Sequence, residues 1–301
     1  MRPMQIDRAR ALAHIASAVS LAGCAGGNGA AASTIAVGSK DFTEELILGE
    51  MYALILEHNG LRVVRKLDLG GTQVAMAALR RGDIDLYPEY TGTALITQLK
   101  AKPSKDAAAN YKTVKSYYAA HYQLEWLDAA PFNDTQALAT TRAIATKYAI
   151  KTLSDLAKAA PQLRLGAIPE FTKRDDALPG LQKAYGGFNF KDVKLFDIGL
   201  KYKALESGQV DVVVAFGTDG KIDVDKLYVF ADDKHFWPSY QVAPVVRKAT
   251  LATYPAIATH LNKLAPLLSD DIMRGLNAQV DGAKKEPKTV ALEFLRTHGF
   301  A

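Results

Sequence analysis

The side chains best placed to do chemistry in this chain are aromatic. Tyr87, Tyr90, Phe216, Phe236, Trp237 and Tyr240 stand at or just beyond short apolar runs, among Pro, Glu, Thr, Gly and Ser. An aromatic face carries negative quadrupole potential, and a weakly hydrated cation resting on it gains on the order of 0.5–2 kcal/mol per ring. A quaternary ammonium has no N–H to satisfy, so a cage of rings can hold it without carboxylates. Several of these rings could instead be core. Tyr87, followed directly by Pro88, reads as core; Tyr90, Phe216 and Tyr240 read as cleft residues. Motifs for other chemistry are missing: the chain has no Gly-x-Ser-x-Gly elbow, Walker loop, His-Glu-x-x-His or dinucleotide fingerprint. Gly70-Gly71-Thr72 could hold an anion on backbone N–H groups at a helix start, although a packing turn is the simpler reading. His235 lies beside Asp232 and Asp233, but neighbours in sequence do not make a catalytic geometry, and it reads as a surface histidine. No catalytic residue, cofactor or metal site is expected.

Helix and strand signals then say what must position the rings. Gly71 opens a short helix with apolar Val74, Ala75, Ala78 and Leu79; Gly82 stops it, a strand follows at Ile84–Leu86, and an aromatic-polar loop occupies residues 87–93. The unit recurs. Ala78-Leu79-x-x-Gly82-x-Ile84-Asp85-Leu86 matches Ala204-Leu205-x-x-Gly208-x-Val210-Asp211-Val212 at an offset that carries Tyr90 onto Phe216. A looser echo pairs Val37–Phe42 with Gly166–Phe171. Upstream, a strand at 34–37 leads to a helix capped by Thr43 and ended near Gly60, followed by a strand at 62–69. Strand, helix, strand, helix, strand calls for a parallel sheet covered on both faces. Later segments repeat the pattern and end in a helical tail of three segments. The expectation is an α/β chain of two lobes, residues 34–138 plus 242–301 and residues 139–241. The crossings fall near residues 137–140 and 241–246, with aromatic loops facing across the cleft, where open α/β sheets bind ligands.

Length and composition agree with one large or two medium domains: 301 residues, 49% hydrophobic and 23% charged. The net charge of +5 is scattered over the chain, which argues for solvated surface and against nucleic acid. The single cysteine excludes an intramolecular disulfide, and with six dispersed histidines a structural zinc site is not expected. Leu21-Ala22-Gly23-Cys24 has the form of a lipobox, preceded by an Arg-bearing segment and an apolar stretch from Ala11 to Gly23. Residues 1–23 therefore read as a signal peptide, Cys24 as the lipidated residue, and residues 24–33 as a flexible Gly/Ala/Asn-rich tether. A plainly cleaved signal and an unprocessed tail are the alternatives. Nothing in the chain reads as a membrane span.

Seven motifs, in order from Gly38 to Tyr240, resemble the substrate-binding proteins of osmoprotectant ABC importers. They are Gly38-Ser39-Lys40-Asp41-Phe42-Thr43-Glu44, Leu69-Gly70-Gly71-Thr72, Tyr87-Pro88-Glu89-Tyr90-Thr91-Gly92-Thr93, Phe132-Asn133-Asp134-Thr135, the run from Leu178 to Gly186, the run from Val213 to Gly220, and the run from Asp232 to Tyr240. The resemblance implies a type II periplasmic-binding-protein fold and capture of a solute such as glycine betaine, carnitine or choline, for delivery to the membrane permease subunits of an ABC importer. It implies a monomeric, extracytoplasmic protein, attached to the membrane only through a lipid. Carried over by motif, Tyr90, Phe216 and Tyr240 match cage positions, Thr93 a position that tunes choline against betaine, and Lys40 a polar position beside the ligand. Gln136 stands where a further cage tyrosine is expected, and could hydrogen-bond an additional polar group of the ligand. Positive Lys40, with Arg174 near it, would disfavour a bare cation such as choline and favour a carboxylate-bearing betaine, including larger ones such as carnitine or ergothioneine. An unrelated carboxylated ligand, such as an amino acid, is the alternative within the same fold, and an enzyme of the lobed α/β type the remote one.

Overall fold

Short β-branched strands alternate with helices of ordinary length, and the computed structural model assembles them into two five-stranded sheets. It describes residues 34–300; the expected signal segment 1–23, Cys24 and the tether 24–33 lie outside the described residues. The strands are β1 (Ile35–Gly38), β2 (Val63–Lys66), β3 (Leu86–Tyr90), β4 (Leu124–Trp126), β5 (Gln136–Thr140), β6 (Arg164–Ala167), β7 (Asp192–Leu195), β8 (Val212–Phe216), β9 (Tyr228–Val229) and β10 (Val242–Arg247). The sheet orders are β2-β1-β3-β10-β4 and β7-β6-β8-β5-β9. In each, three strands run parallel and a returning strand pairs antiparallel with the third, β10 on β3 and β5 on β8.

The sequence echo is this shared topology. Gly82 and Gly208 end their helices with left-handed φ of 83° and 69°, a conformation that costs a residue with a Cβ far more than glycine. Three residues on, the aspartates do equivalent work. Asp85 accepts the Ala36 N–H at the start of β1, and Asp211 accepts the Arg164 N–H at the start of β6, both at 2.8 Å. The repeated phrase therefore turns the chain and ties each third strand to its first, bringing Tyr90 and Phe216 to corresponding strand ends.

Four expectations change. The first crossing comes earlier than expected: residues 136–140 form β5 inside the second sheet, so the chain changes sheets before Gln136, not at 138, while residues 242–247 form β10 inside the first sheet. The loop expected at 87–93 is largely strand, because Pro88 lies opposite Pro244, so two residues without an N–H share one rung of the ladder. Thr43 is the first residue of its helix, Thr43–His58, and its hydroxyl bonds Asp281 at 2.6 Å instead of capping. The tail has four α-helices, Lys248–Thr253, Ala256–Asn262, Asp270–Asp281 and Pro287–Thr297. The helix Asp270–Asp281 also packs on Gly220–Val224 of the second lobe. A Cβ on Gly220 would lie 2.4 Å from the Ala278 nitrogen, so only glycine admits this approach. No helix among the described residues is long and apolar enough to cross a membrane.

Candidate functional site

A cavity of about 190 Å³ opens between the strand ends of the two lobes, more than ten times the space one water needs. All seven side chains singled out in the sequence line it: Lys40, Tyr90 and Thr93 from the first lobe, Gln136, Arg174 and Phe216 from the second, and Tyr240 from the second crossing. Phe42, missed as a site residue, completes the ring wall. Its centroid lies 6.1 Å from that of Tyr90 and 6.2 Å from that of Phe216, stacked on the latter at 16°. Tyr87, Phe236 and Trp237 do not line the cavity. Tyr87 is fully buried and donates to Glu89; Phe236 packs against Gly180, and the Trp237 indole holds the Asp176 carbonyl at 2.8 Å. His235 is exposed.

Each wall is held from behind. Tyr90 donates its hydroxyl to Glu44 at 2.7 Å. Tyr240 donates to Asp176 at 2.6 Å, and its ring lies directly on Gly92. A Cβ there would sit 2.6 Å from Tyr240 Cδ1 and 2.9 Å from the Ser239 carbonyl oxygen. Gly92→Ala is therefore expected to displace the ring and destabilise the fold by about 1–3 kcal/mol; a urea-unfolding midpoint equal to wild type would refute the close packing.

Asp176, absent from the sequence expectations, organises the polar side. It is 3% exposed and takes a two-pronged contact from Arg174 (Nε 2.7 Å, Nη2 2.5 Å), the Tyr240 hydroxyl, and the Gln136 amide at 2.7 Å. Gln136 Nε2 also donates to the Asp176 carbonyl at 3.0 Å. Both partners are acceptors, which fixes the amide orientation. The amide nitrogen is thus spent on Asp176, and of the group expected to hydrogen-bond a ligand only Gln136 Oε1, which takes no protein donor among the described residues, remains. Arg174 reaches across to Thr93 Oγ at 3.5 Å, so one guanidinium touches side chains of both lobes.

These rings, drawn from both lobes around a polar corner, suit a methylated cation. The sequence profile of the OpuAC family, the substrate-binding domain of the ABC-type glycine betaine transport system, matches residues 33–297. This chain belongs to that family. It is 40% identical over 266 residues to the ergothioneine transport permease/ergothioneine binding protein EgtU of Helicobacter pylori strain G27. That match covers 88% of this chain and 48% of the relative, so the chain spans about half the length of that protein. The glycine-betaine-binding protein of Pseudomonas aeruginosa PAO1 is 37% identical, with 89% of each chain covered. A crystal structure of a glycine betaine/carnitine/choline ABC transporter superposes with TM-score 0.72 at 33% identity, over 88% of this chain and 99% of that one.

Within this OpuAC-family frame, the charge expected of Lys40 is not free. Its ammonium is 2.7 Å from Glu89 and 3.5 Å from Glu45, and sits 4.7 Å from the Tyr90 ring centroid. Burial works to lower the Lys40 pKa, but Glu89 and Glu45 overcome it and hold the ammonium protonated. Arg174 is matched by Asp176 in the same way, its pKa raised although burial opposes the charge. Repulsion of choline by a bare lysine is therefore not what this cavity offers. The missed residues include three carboxylates on its lining, Asp41 from one lobe and Glu170 and Asp197 from the other. The side chains of Glu170 and Asp197 take no hydrogen-bond donor among the described residues, and that of Asp41 takes only its own backbone N–H. Burial, and then the neighbouring Glu170 and Asp68, push the Asp41 pKa up.

Proposed function

We propose that this chain is the extracytoplasmic solute-binding component of an ABC importer, and that it captures a zwitterionic quaternary ammonium compound and presents it to membrane permease subunits. The observation that carries this reading is the ring wall of Phe42, Tyr90, Phe216 and Tyr240, built from both lobes, beside the Thr93–Arg174 corner. A trimethylammonium group rests on the rings. Arg174 uses Nε and Nη2 within the protein, so Nη1 and the Thr93 hydroxyl are donors for a ligand carboxylate. Capture proceeds by closure of the lobes, because a ligand that touches both favours the closed state. The protein acts as a monomer, lipidated at Cys24; mass spectrometry of the native N-terminus tests that anchor, and residues upstream of Cys24 on the mature chain rule it out.

Calorimetry against glycine betaine, carnitine, choline and ergothioneine tests the ligand class. At least one betaine is expected to bind with micromolar or tighter affinity, choline more weakly; heat from none of the four ends the reading. A specific observation favours the larger ligand. Two carboxylates on the lining, Glu170 and Asp197, lack donors among the described residues and a third, Asp41, has only its own backbone N–H, and ergothioneine carries ring N–H groups that glycine betaine does not. The expected order is ergothioneine above glycine betaine, by about tenfold or more for one or two added charge-assisted hydrogen bonds.

A further inference from the structure

Where the lobes meet behind the ring wall, the Thr218 hydroxyl oxygen lies 2.5 Å from Glu44 Oε2 and 2.7 Å from Asp134 Oδ1. All three residues are buried, at 1%, 3% and 6% exposure respectively. A hydroxyl has one proton to donate and two carboxylate oxygens face it. One carboxyl group must therefore hold a proton of its own and donate it to Thr218. The remaining contacts do not remove the need. Glu44 accepts from the Tyr90 hydroxyl and from Asn277 Nδ2 at 2.9 Å; Asp134 accepts the Thr218 N–H at 3.3 Å. Neither is in an ion pair among the described residues.

The surrounding elements supply little positive charge. From the helix Thr43–His58 comes Glu45, with Lys40 just before it already held by Glu45 and Glu89. The turn after β8 contributes Asp219, bonded to the Tyr202 hydroxyl and the Phe216 N–H and 3.5 Å from Lys201. The helix Asp270–Asp281 contributes Asp281, bonded to Thr43, and Arg274, whose guanidinium reaches the Gly217 carbonyl, Asp271 and Asp223. Burial, with Asp219 adding to it, pushes Glu44 up to about 7, and burial followed by Glu44 and Asp219 pushes Asp134 well above the carboxylate range.

Asp134 is also on the cavity lining with Tyr90 and Phe216, and its second oxygen accepts no hydrogen bond among the described residues. We propose that Asp134, backed by Glu44, is the counter-charge for the ligand's ammonium, and that the arriving cation displaces the proton the two carboxyl groups share. This rests on the quaternary-ammonium reading above. The O–H bond of the shared proton breaks, the proton passes to buffer, and one permanent positive charge replaces one proton beside Asp134. A quaternary ammonium has no N–H to give Thr218 or Asp134, so it acts through charge alone, and once the proton has left, the Thr218 hydroxyl donates to only one of the two carboxylates. The site thereby selects a cation over a neutral group of the same shape.

Calorimetry with the full chain near pH 7, in phosphate and in Tris, reads the proton count from the difference in heats, using whichever betaine of the panel binds most tightly. The expected result is release of up to about one proton per ligand, with affinity rising up to about tenfold per pH unit while the pair remains protonated, because the bound state holds fewer protons. Asp134→Asn and, separately, Glu44→Gln are expected to abolish the release and the pH slope; two variants guard against one failing to fold. The uncharged isostere 3,3-dimethylbutyrate, with carbon in place of the nitrogen of glycine betaine, is expected to bind at least tenfold more weakly than glycine betaine and to release no proton. Tight betaine binding with equal heats in both buffers overturns this inference and leaves the ligand class standing. Absence of binding by any quaternary ammonium overturns the ligand class, and this inference with it.

Discussion

Tyr90→Ala is expected to weaken binding of a betaine ligand by roughly 50-fold, and Tyr90→Phe by less than about tenfold. The ring itself is worth on the order of 0.5–2 kcal/mol to a cation resting on it. Removing it also leaves Glu44 Oε1 without the hydroxyl that reaches it at 2.7 Å, at a cost of about 1–3 kcal/mol for a buried acceptor. Lys40 loses the ring lying 4.7 Å from its ammonium, and Phe42 loses one of its two ring neighbours. Together these come to a few kcal/mol, of which only part falls on binding. The phenylalanine variant keeps the wall and gives up only the hydrogen bond, so the two substitutions separate ring from hydroxyl. Isothermal titration of both variants is the measurement; a Tyr90→Ala protein that binds like wild type removes the ring from the site. Because Tyr90→Phe takes a donor from Glu44, it should also make that carboxyl group hold its proton more tightly, moving any proton release upon binding to higher pH.

What could be seen in the sequence depends on the distance over which the physics acts. Local chemistry was legible. Left-handed turns at Gly82 and Gly208, each followed by an aspartate three residues on, mark both lobes as copies of one topology, and they bring Tyr90 and Phe216 to matching strand ends. Pro88 misled because a proline reads as a break until its partner across the sheet is known to be Pro244. Charge pairing was not legible. Lys40 meets Glu89 49 positions away and Gln136 meets Asp176 40 positions away, and no local pattern distinguishes a lysine facing a ligand from one already neutralised. Phe42 escaped notice for the same reason: it belongs to the loop after β1, and its stacking partner Phe216 comes from the other lobe. Residue types announced the aromatic wall, while long-range pairs decide which of the neighbouring charges a ligand can feel.

The second large effect concerns one of those pairs. Lys40→Met is expected to destabilise the protein by about 3–5 kcal/mol at neutral pH, the usual consequence of stranding a buried partner charge; for a chain of this size that is a fall of roughly 10 °C in Tm. Glu89 is fully buried and relies on the ammonium at 2.7 Å, together with the Tyr87 hydroxyl and the Tyr90 N–H. Glu45 is also fully buried, and its Oε1 has no hydrogen-bond partner among the described residues. Burial, against the opposing pull of Lys40, already pushes Glu45 from an ordinary 4.5 up to about 8. The sign of the pH dependence follows. Between those two values the folded protein holds a proton that the unfolded chain has lost, so the contribution of Glu45 to stability is fully present below pH 4.5 and is lost as pH rises through about 8. Removing Lys40 takes away the pull that lowers the Glu45 pKa and thereby raises its affinity for a proton, so the deficit of the variant should shrink as pH falls and widen as it rises. Thermal unfolding across pH 5–8 reads this directly, and the double variant Lys40→Met/Glu89→Gln should recover much of the loss by removing the stranded charge. A single variant as stable as wild type at neutral pH, or a double variant less stable than the single one, would mean that the Lys40–Glu89 pair does not hold the first lobe's side of the cavity.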